Sequence, residues 1–135
     1  MVKGCVPCYI PILDKVEINP LSKTEDGYFS TLFHELAHST GSKKRLNRDG
    51  VVKGGLPKTK SDYAVEECIA EITAHLCCSE CNIQSFKTSG TAEYDNNIAY
   101  VQHWKQRIED WGKEFMYIVS QADKAFSYIM DKEDL

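Results

Sequence analysis

The sequence lacks several features that would mark a special class of protein. No apolar run approaches the roughly 20 residues of a transmembrane helix, which argues against a membrane protein. The first residues contain no long apolar stretch typical of a signal peptide, so we expect a cytoplasmic protein whose six cysteines stay reduced. There is no internal repeat and no low-complexity segment. The 135 residues, 42% of them apolar, are typical of one globular domain over 1–135 that buries a core without disulfides.

Charge is unevenly distributed along the chain. The net charge is −4, yet residues 41–60 contain a single acid and a run of basic residues: Lys43, Lys44, Arg45, Arg48, Lys53, Lys58 and Lys60. A basic segment on an acidic protein can attract an anionic partner such as a nucleic acid. It can equally be a solvated loop whose lysines maintain solubility, and the sequence leaves both interpretations open.

The apolar pattern predicts an α+β fold that is mostly helical. Residues 8–18 alternate around Asp14-Lys15 and predict a short β-hairpin near the start. Helical spacing predicts helices over about 28–40, 61–81 and 92–111, and a fourth that follows Gly112 and runs to about 130. Gly41 is expected to end the first helix, and residues 42–60 to form a long surface loop. The buried faces are expected to include Leu76, Phe115 and Val119.

One segment, His34-Glu35-Leu36-Ala37-His38, has a zinc-binding pattern. Histidines four residues apart on a helix place both imidazoles on one face, where they can bind one Zn²⁺ ion. Glu35 is not expected to bind the metal. Its carboxylate would accept a proton from water activated by zinc, as the general base of a metallopeptidase does. The alternative is a pair of surface histidines, and the apolar back face of this helix argues against it.

A catalytic zinc site needs a third protein ligand. One zincin class uses a third histidine after a glycine. Gly41 fits that pattern, but Lys44 occupies the histidine position and excludes that class. Another class takes a glutamate from the next helix, where Glu67 and Glu71 share one face and Glu66 points about 100° away from Glu67. We expect Glu67 to be the ligand and Glu71 to orient a histidine, with the reverse assignment open. We expect Glu66 to be solvated.

These residues, taken in order, resemble the C-terminal metallopeptidase domain of ArdC-type antirestriction proteins. They also resemble the related domains of polyvalent proteins in phages and conjugative elements. The resemblance covers nearly the whole chain, through segments 8–11, 34–41, 45–48, 63–71 and 121–129. It implies a compact zincin fold with a glutamate as third zinc ligand, a small gluzincin, and an origin in a mobile element. Full-length members also carry an N-terminal single-stranded-DNA-binding domain, which has no counterpart in these residues.

The oxyanion formed during peptide hydrolysis needs a hydrogen-bond donor. No spacing argument selects one among the candidates, which are Tyr63, His75, Tyr94, Tyr100 and His103.

Two functions are consistent with these features. The first is a zinc metallopeptidase that acts on an unknown protein or peptide substrate. The second is a zinc-stabilised module that binds DNA or an acidic protein through residues 43–60. The first is favoured, because a purely structural zinc site has no use for Glu35 beside an open metal position.

Overall fold

The computed structural model describes residues 6–18, 24–52, 60–83 and 92–132, with only the backbone described in 60–62 and in most of 92–113. Two short strands precede four helices: β1 Cys8–Ile10, β2 Lys15–Glu17, α1 Glu25–Thr40, α2 Asp49–Val52, α3 Lys60–Glu80 and α4 Ala92–Ile129. The predicted fold class, a mostly helical α+β fold with a two-stranded antiparallel sheet near the start, is confirmed.

The two strands form the predicted hairpin, in the register that pairs Tyr9 with Val16. The chain reverses over residues 11–14, slightly earlier than the predicted turn. There Asp14 takes a left-handed conformation, with φ 49°, which Asp tolerates better than most residues. Its carboxylate accepts a hydrogen bond from the Tyr9 hydroxyl at 2.8 Å. Ile12 lies in the turn itself and is 91% exposed.

Helix α1 begins at Glu25, three residues before the predicted start. Thr24 explains the difference, because its hydroxyl accepts a hydrogen bond from the Gly27 amide and caps the helix. The end at Gly41 is as predicted, and the Gly41 amide donates to the His38 carbonyl at 3.0 Å. A Cβ at Gly41 would lie 2.6 Å from a methyl group of Val51, so the glycine lets the following segment pack against the helix end.

The prediction of a long surface loop over residues 42–60 is wrong in its described part. The chain folds back onto the end of α1, where the Arg48 amide donates to the Gly41 carbonyl at 3.0 Å. It then forms the single helical turn α2, whose Val51 is 5% exposed. Arg48 is 2% exposed. Residues 42–52 therefore pack against the end of α1 and do not form a loop that is solvated throughout. Residues 53–59 lie outside the described part of the chain.

Helix α3 packs against both α1 and α4. The core cluster consists of Cys68, Ile69 and Ile118, flanked by Val65 and Ile72. Much of the remaining buried apolar surface comes from alanines and cysteines, and such small side chains let helices approach closely. Leu76 was predicted to be buried but is 38% exposed.

The break predicted at Gly112 is confirmed as a kink within α4, where this residue has non-helical φ and ψ angles. After the kink, Ile118, Ala122 and Ala125 form a narrow buried stripe. Phe115 and Val119 were predicted on that buried side, but they are 37% and 41% exposed because they lie at its margin. Within the described ranges, no helix combines the length and apolar character that crossing a bilayer requires.

Candidate metal centre

The facing surfaces of α1 and α3 bring the predicted metal ligands together. The Nε2 atoms of His34 and His38 lie 3.2 Å apart. The Glu67 carboxylate lies between them, with one oxygen 3.2 Å from His34 Nε2 and the other 3.2 Å from His38 Nε2. Two imidazole nitrogens and a carboxylate, contributed by neighbouring helices, thus converge on one point.

The other nitrogen of each imidazole is bound to a separate carboxylate. His34 Nδ1 lies 2.7 Å from Glu71 Oε2, and His38 Nδ1 lies 2.7 Å from Glu66 Oε2. A carboxylate at Nδ1 fixes the orientation of the ring and directs Nε2 towards a metal. Glu71 also lies 3.4 Å from His75 Nε2, on the outer side of the site. The geometry therefore favours Glu67 as the ligand and Glu71 as the group that orients His34.

Glu66 is not the solvated acid that we expected. It is 5% exposed and accepts two hydrogen bonds from Arg48, at 2.8 and 3.0 Å. The prediction considered only the angle between neighbouring residues on α3. An imidazole has nitrogens on two edges, so adjacent residues pointing in different directions can contact the same ring. Glu66 contacts His38 at Nδ1, whereas Glu67 contacts it at Nε2.

Arg48 is the residue of this site that the sequence reasoning missed. Besides Glu66, its guanidinium donates to the Thr40 hydroxyl at 2.7 Å and to the Ala37 carbonyl at 2.8 Å. A buried guanidinium requires such complete pairing, because removing it from water is costly. Arg48 was grouped with the basic segment on charge alone. The available signal for a structural role of Arg48 was that it lies in segment 45–48, one of the segments that carry the family resemblance.

The donor set fits zinc. Imidazole and carboxylate donors are typical of zinc sites with three protein ligands. Ligand atoms at about 2.0–2.1 Å from a tetrahedral zinc lie about 3.3 Å from one another. The two Nε2 atoms lie 3.2 Å apart, and each lies 3.2 Å from a different oxygen of the Glu67 carboxylate, which are separations of this size.

The carboxylates strongly favour protons on both imidazoles. Burial opposes the charged form of His34, but hydrogen bonds to Glu67 and Glu71 outweigh burial and raise its pKa to about 10. Burial likewise opposes protonation of His38, whose pKa is raised to about 9 by Glu66 and Glu67. Burial would raise the pKa of Glu71, yet its bonds to the histidines lower that pKa to about 2. A site this rich in negative charge suits a divalent cation, which would replace the protons.

A cleft of about 390 Å³ opens onto the three ligands. Glu35 lies in its wall and is 8% exposed, while Tyr63 at its mouth is 57% exposed. The negative charge of Glu67 raises the pKa of Tyr63, as do burial and Glu35, so its hydroxyl keeps its proton at neutral pH. His75 contacts Glu71 and is not among the residues that line the cleft. The side chains of the remaining candidates, Tyr94, Tyr100 and His103, lie outside the described part of the chain.

Comparison with known proteins agrees with this geometry. Residues 2–121 match the profile of the zincin-like metallopeptidase family MPTase-PolyVal. The chain belongs to this family. The resemblance to zincin-like domains that the sequence motifs indicated is thereby confirmed. Zincin-like metallopeptidases typically bind zinc, in agreement with the His-His-Glu cluster.

The relatives of this zincin-like chain are much longer proteins. An uncharacterized protein of Sinorhizobium fredii, y4eC, is 32% identical over 123 residues, which cover 90% of this chain and 37% of that protein. Two Escherichia coli proteins named DNA primase TraC are 28% and 27% identical over 124 residues. The match covers 90% of this chain and only 8% and 11% of those two proteins. No solved structure shows a significant match.

Proposed function

We propose that this chain is a zinc-dependent peptidase domain that hydrolyses peptide bonds. The observation that carries the proposal is the convergence of His34, His38 and Glu67 on one point, at the base of a cleft whose wall contains Glu35. A purely structural zinc site is closed by four protein ligands, whereas a catalytic one leaves a position open. Three donors beside a cleft match the second arrangement.

Each polar residue of the site has a distinct role in this proposal. His34, His38 and Glu67 hold the zinc, while Glu71 and Glu66 hold the two imidazoles in place. When bound, zinc lowers the pKa of water and polarises the substrate carbonyl. The Glu35 carboxylate accepts the proton that water loses and delivers it to the departing amine.

Replacement of Glu35 tests the proposal directly. Glu35→Gln keeps the size of the side chain and removes the proton acceptor, so we expect cleavage of fluorescently labelled casein to fall at least 100-fold. Zinc content, measured by mass spectrometry of the metal, should stay at that of the unmodified protein. Glu114→Gln, at an exposed position of α4, is the matched control and should change neither quantity. Undiminished cleavage by Glu35→Gln would refute the mechanism.

We further propose that Tyr63 stabilises the oxyanion, because it alone of the described candidates lines the metal cleft. Tyr63→Phe removes one hydrogen-bond donor and should lower kcat about 100-fold with little change in KM or zinc content. Tyr128→Phe removes an equally exposed hydroxyl from α4 and should have no effect on steady-state kinetics. A change confined to KM would assign Tyr63 to substrate binding instead.

The resemblance to ArdC-type domains extends the proposal to the cellular context. On this basis the domain acts in the cytoplasm, as part of an antirestriction-type protein of a mobile element. The names of the TraC relatives support a setting in which DNA is handled. We expect the domain to cleave a protein in that setting.

We propose DNA binding through residues 43–60 as a second function, supported in the described part of that segment by the exposed cations of Lys43 and Lys44. If it is correct, affinity for a fluorescent single-stranded oligonucleotide should decrease steeply as salt increases. The double variant Lys43→Gln/Lys44→Gln should make the plot of log affinity against log salt concentration less steep, by the amount that corresponds to about two phosphate contacts. Binding that does not respond to salt would exclude this function.

A further inference from the structure

A second cleft adjoins the metal cleft. It has a volume of about 610 Å³ and shares three of its lining residues, Tyr9, Pro11 and Val51, with the metal cleft. The hairpin turn forms one side and the segment after α1 forms the other. The shared residues place the two clefts side by side, and we take the second to be within reach of a polypeptide bound at the metal centre. We refer to it as the Ile12 cleft.

The walls of the Ile12 cleft are largely apolar. Pro11 and Ile12 contribute from the hairpin turn, and Val51 and Val52 from α2. Ile12 is 91% exposed and Val52 is 37% exposed, so the described part of the chain leaves much of this apolar surface in water. Burial of such surface by a ligand is favourable in proportion to its area. The volume is in the range of ordinary ligand pockets and accommodates a bulky apolar side chain.

The two clefts differ in electrostatic character. Three carboxylates line the metal cleft, those of Glu35, Glu66 and Glu67. The Ile12 cleft contains two lysines, Lys43 and Lys44, and one carboxylate. That carboxylate, Asp14, already accepts hydrogen bonds from Tyr9 and Arg45. Lys44 lies 3.9 Å from the second oxygen of Asp14, so within the described part of the chain the exposed ammonium group of Lys43 is the one left to attract an anionic group at this end.

We propose that the Ile12 cleft selects the substrate by binding a bulky apolar side chain that has a carboxylate next to it. The carboxylate belongs either to an acidic residue or to the C-terminus of the substrate. This inference rests on the proposed peptidase function, since it takes the occupant to be the substrate polypeptide. It assigns the hairpin turn and α2 to recognition, and α1 and α3 to chemistry.

Binding can be measured without turnover. Zinc-loaded Glu35→Gln protein and metal-free protein would each be titrated into fluorescein-labelled, Gly/Ser-flanked peptides, with fluorescence anisotropy as the readout. The peptides contain Leu-Glu, Ala-Glu or Leu-Gln in the middle, or end in Leu as a free acid or as an amide. Leu→Ala in the peptide should weaken binding about tenfold. Loss of the preferred carboxylate should weaken it about threefold, because an exposed ion pair contributes little. Comparison of the Leu-Glu peptide with the Leu-Gln peptide tests an acidic side chain as the source of the carboxylate. Comparison of the free acid with the amide tests the C-terminus of the substrate as the source.

Two pairs of protein variants assign the effects to the cleft. Ile12→Ser removes an apolar side chain of the cleft from an exposed turn. It should weaken binding of the peptides that contain Leu about fivefold. Leu13→Ser, its matched control, alters the neighbouring residue, which is 64% exposed and outside the cleft lining, and should have no effect. Lys43→Gln should abolish the preference for a carboxylate, whereas Lys105→Gln on α4 should preserve it.

The outcomes separate this inference from the peptidase proposal. Leu-dependent and carboxylate-dependent binding that Ile12→Ser and Lys43→Gln reduce would establish the Ile12 cleft as the recognition site. If such peptides bind but the unmodified zinc-loaded protein cleaves neither them nor casein, the Ile12 cleft is still the recognition site for these peptides and the peptidase proposal fails. The inference is overturned if no peptide binds. It is also overturned if the Leu-Glu, Ala-Glu and Leu-Gln peptides bind with equal affinity and neither Ile12→Ser nor Lys43→Gln changes that affinity. Both results would stand even if casein is cleaved.

Discussion

At the scale of single residues, every imidazole nitrogen of the metal centre contacts a carboxylate. His34 lies between Glu67 and Glu71, and His38 lies between Glu67 and Glu66. Glu67 is the carboxylate that contacts both Nε2 atoms. The roles of the three acids therefore differ although they lie within six residues of one another on α3, and substitution of each should affect zinc affinity to a different degree.

We expect Glu67→Gln to weaken zinc binding the most, because it removes the carboxylate ligand. Glu71→Gln should weaken binding only about 10- to 100-fold, the usual effect of removing a group that orients a ligand. Competition with a chromophoric zinc chelator measures both values. Glu80→Gln, on the same helix but exposed, provides the baseline. A larger loss in Glu71→Gln than in Glu67→Gln would show that Glu71 is the ligand.

Sequence reasoning reaches the ligands because their spacing is a property of one helix. His34 and His38 must share a face at a separation of four residues, and Glu67 and Glu71 must do the same. The contacts of Glu66 and Arg48 depend instead on how the chain folds back after Gly41, which no periodicity specifies. The helical angle placed Glu66 in solvent and the basic segment placed Arg48 there, whereas their mutual hydrogen bonds allow both to be buried.

At the scale of elements, residues 42–52, which follow α1, support the metal centre. Arg48 links the last turn of α1 to Glu66 on α3, and α2 packs over the same helix end. Arg45, three residues earlier, bonds to Asp14 in the hairpin turn and to the Ser39 carbonyl at 2.8 Å. One short segment thus joins the hairpin and two helices.

The two arginines should differ greatly in their contribution to stability. Arg48→Ala leaves the carboxylate of Glu66 buried without its cation, and we expect a loss of about 3–5 kcal/mol in the free energy of unfolding. Arg45→Ala removes a partly exposed pair and should lose about 0–1 kcal/mol. Urea denaturation monitored by circular dichroism would measure both values. Similar losses in the two variants would contradict the buried network.

The helices themselves were largely predictable, but their margins were not. Apolar spacing located α1, α3 and both halves of α4, and glycines marked the end of α1 and the kink. The early start of α1 depends on a cap by Thr24, which a search for apolar periodicity does not detect. The short α2 contains a single helical turn, too few residues for a periodic pattern to emerge.

At the scale of the whole molecule, the centre ties α1 to α3, the helix that contributes most of the core cluster. Among the side chains that the structure describes, Ile69 and Ile118 are the largest fully buried apolar ones. A metal that links the two helices and binds only the folded state should add to the stability of the fold.

Removal of metal should therefore lower the melting temperature. Zinc at 100 times its Kd stabilises the folded state by about 2.7 kcal/mol. For a chain of this length that amounts to about 10 °C, measurable by differential scanning fluorimetry with and without EDTA. Glu35→Gln should show the same shift as the unmodified protein, and His38→Ala should show none. An EDTA effect of equal size in His38→Ala would mean that the chelated metal is bound elsewhere.

The four carboxylate contacts to His34 and His38 also have a kinetic and entropic consequence. The rings cannot rotate freely about their side-chain torsions, since each is held by hydrogen bonds at both edges. The loss of side-chain entropy that accompanies ordering of a metal-binding residue is therefore incurred during folding, before any ion arrives. An incoming cation meets a rigid receptor and needs only to displace protons, so its capture should depend on proton transfer rather than on rearrangement of the chain.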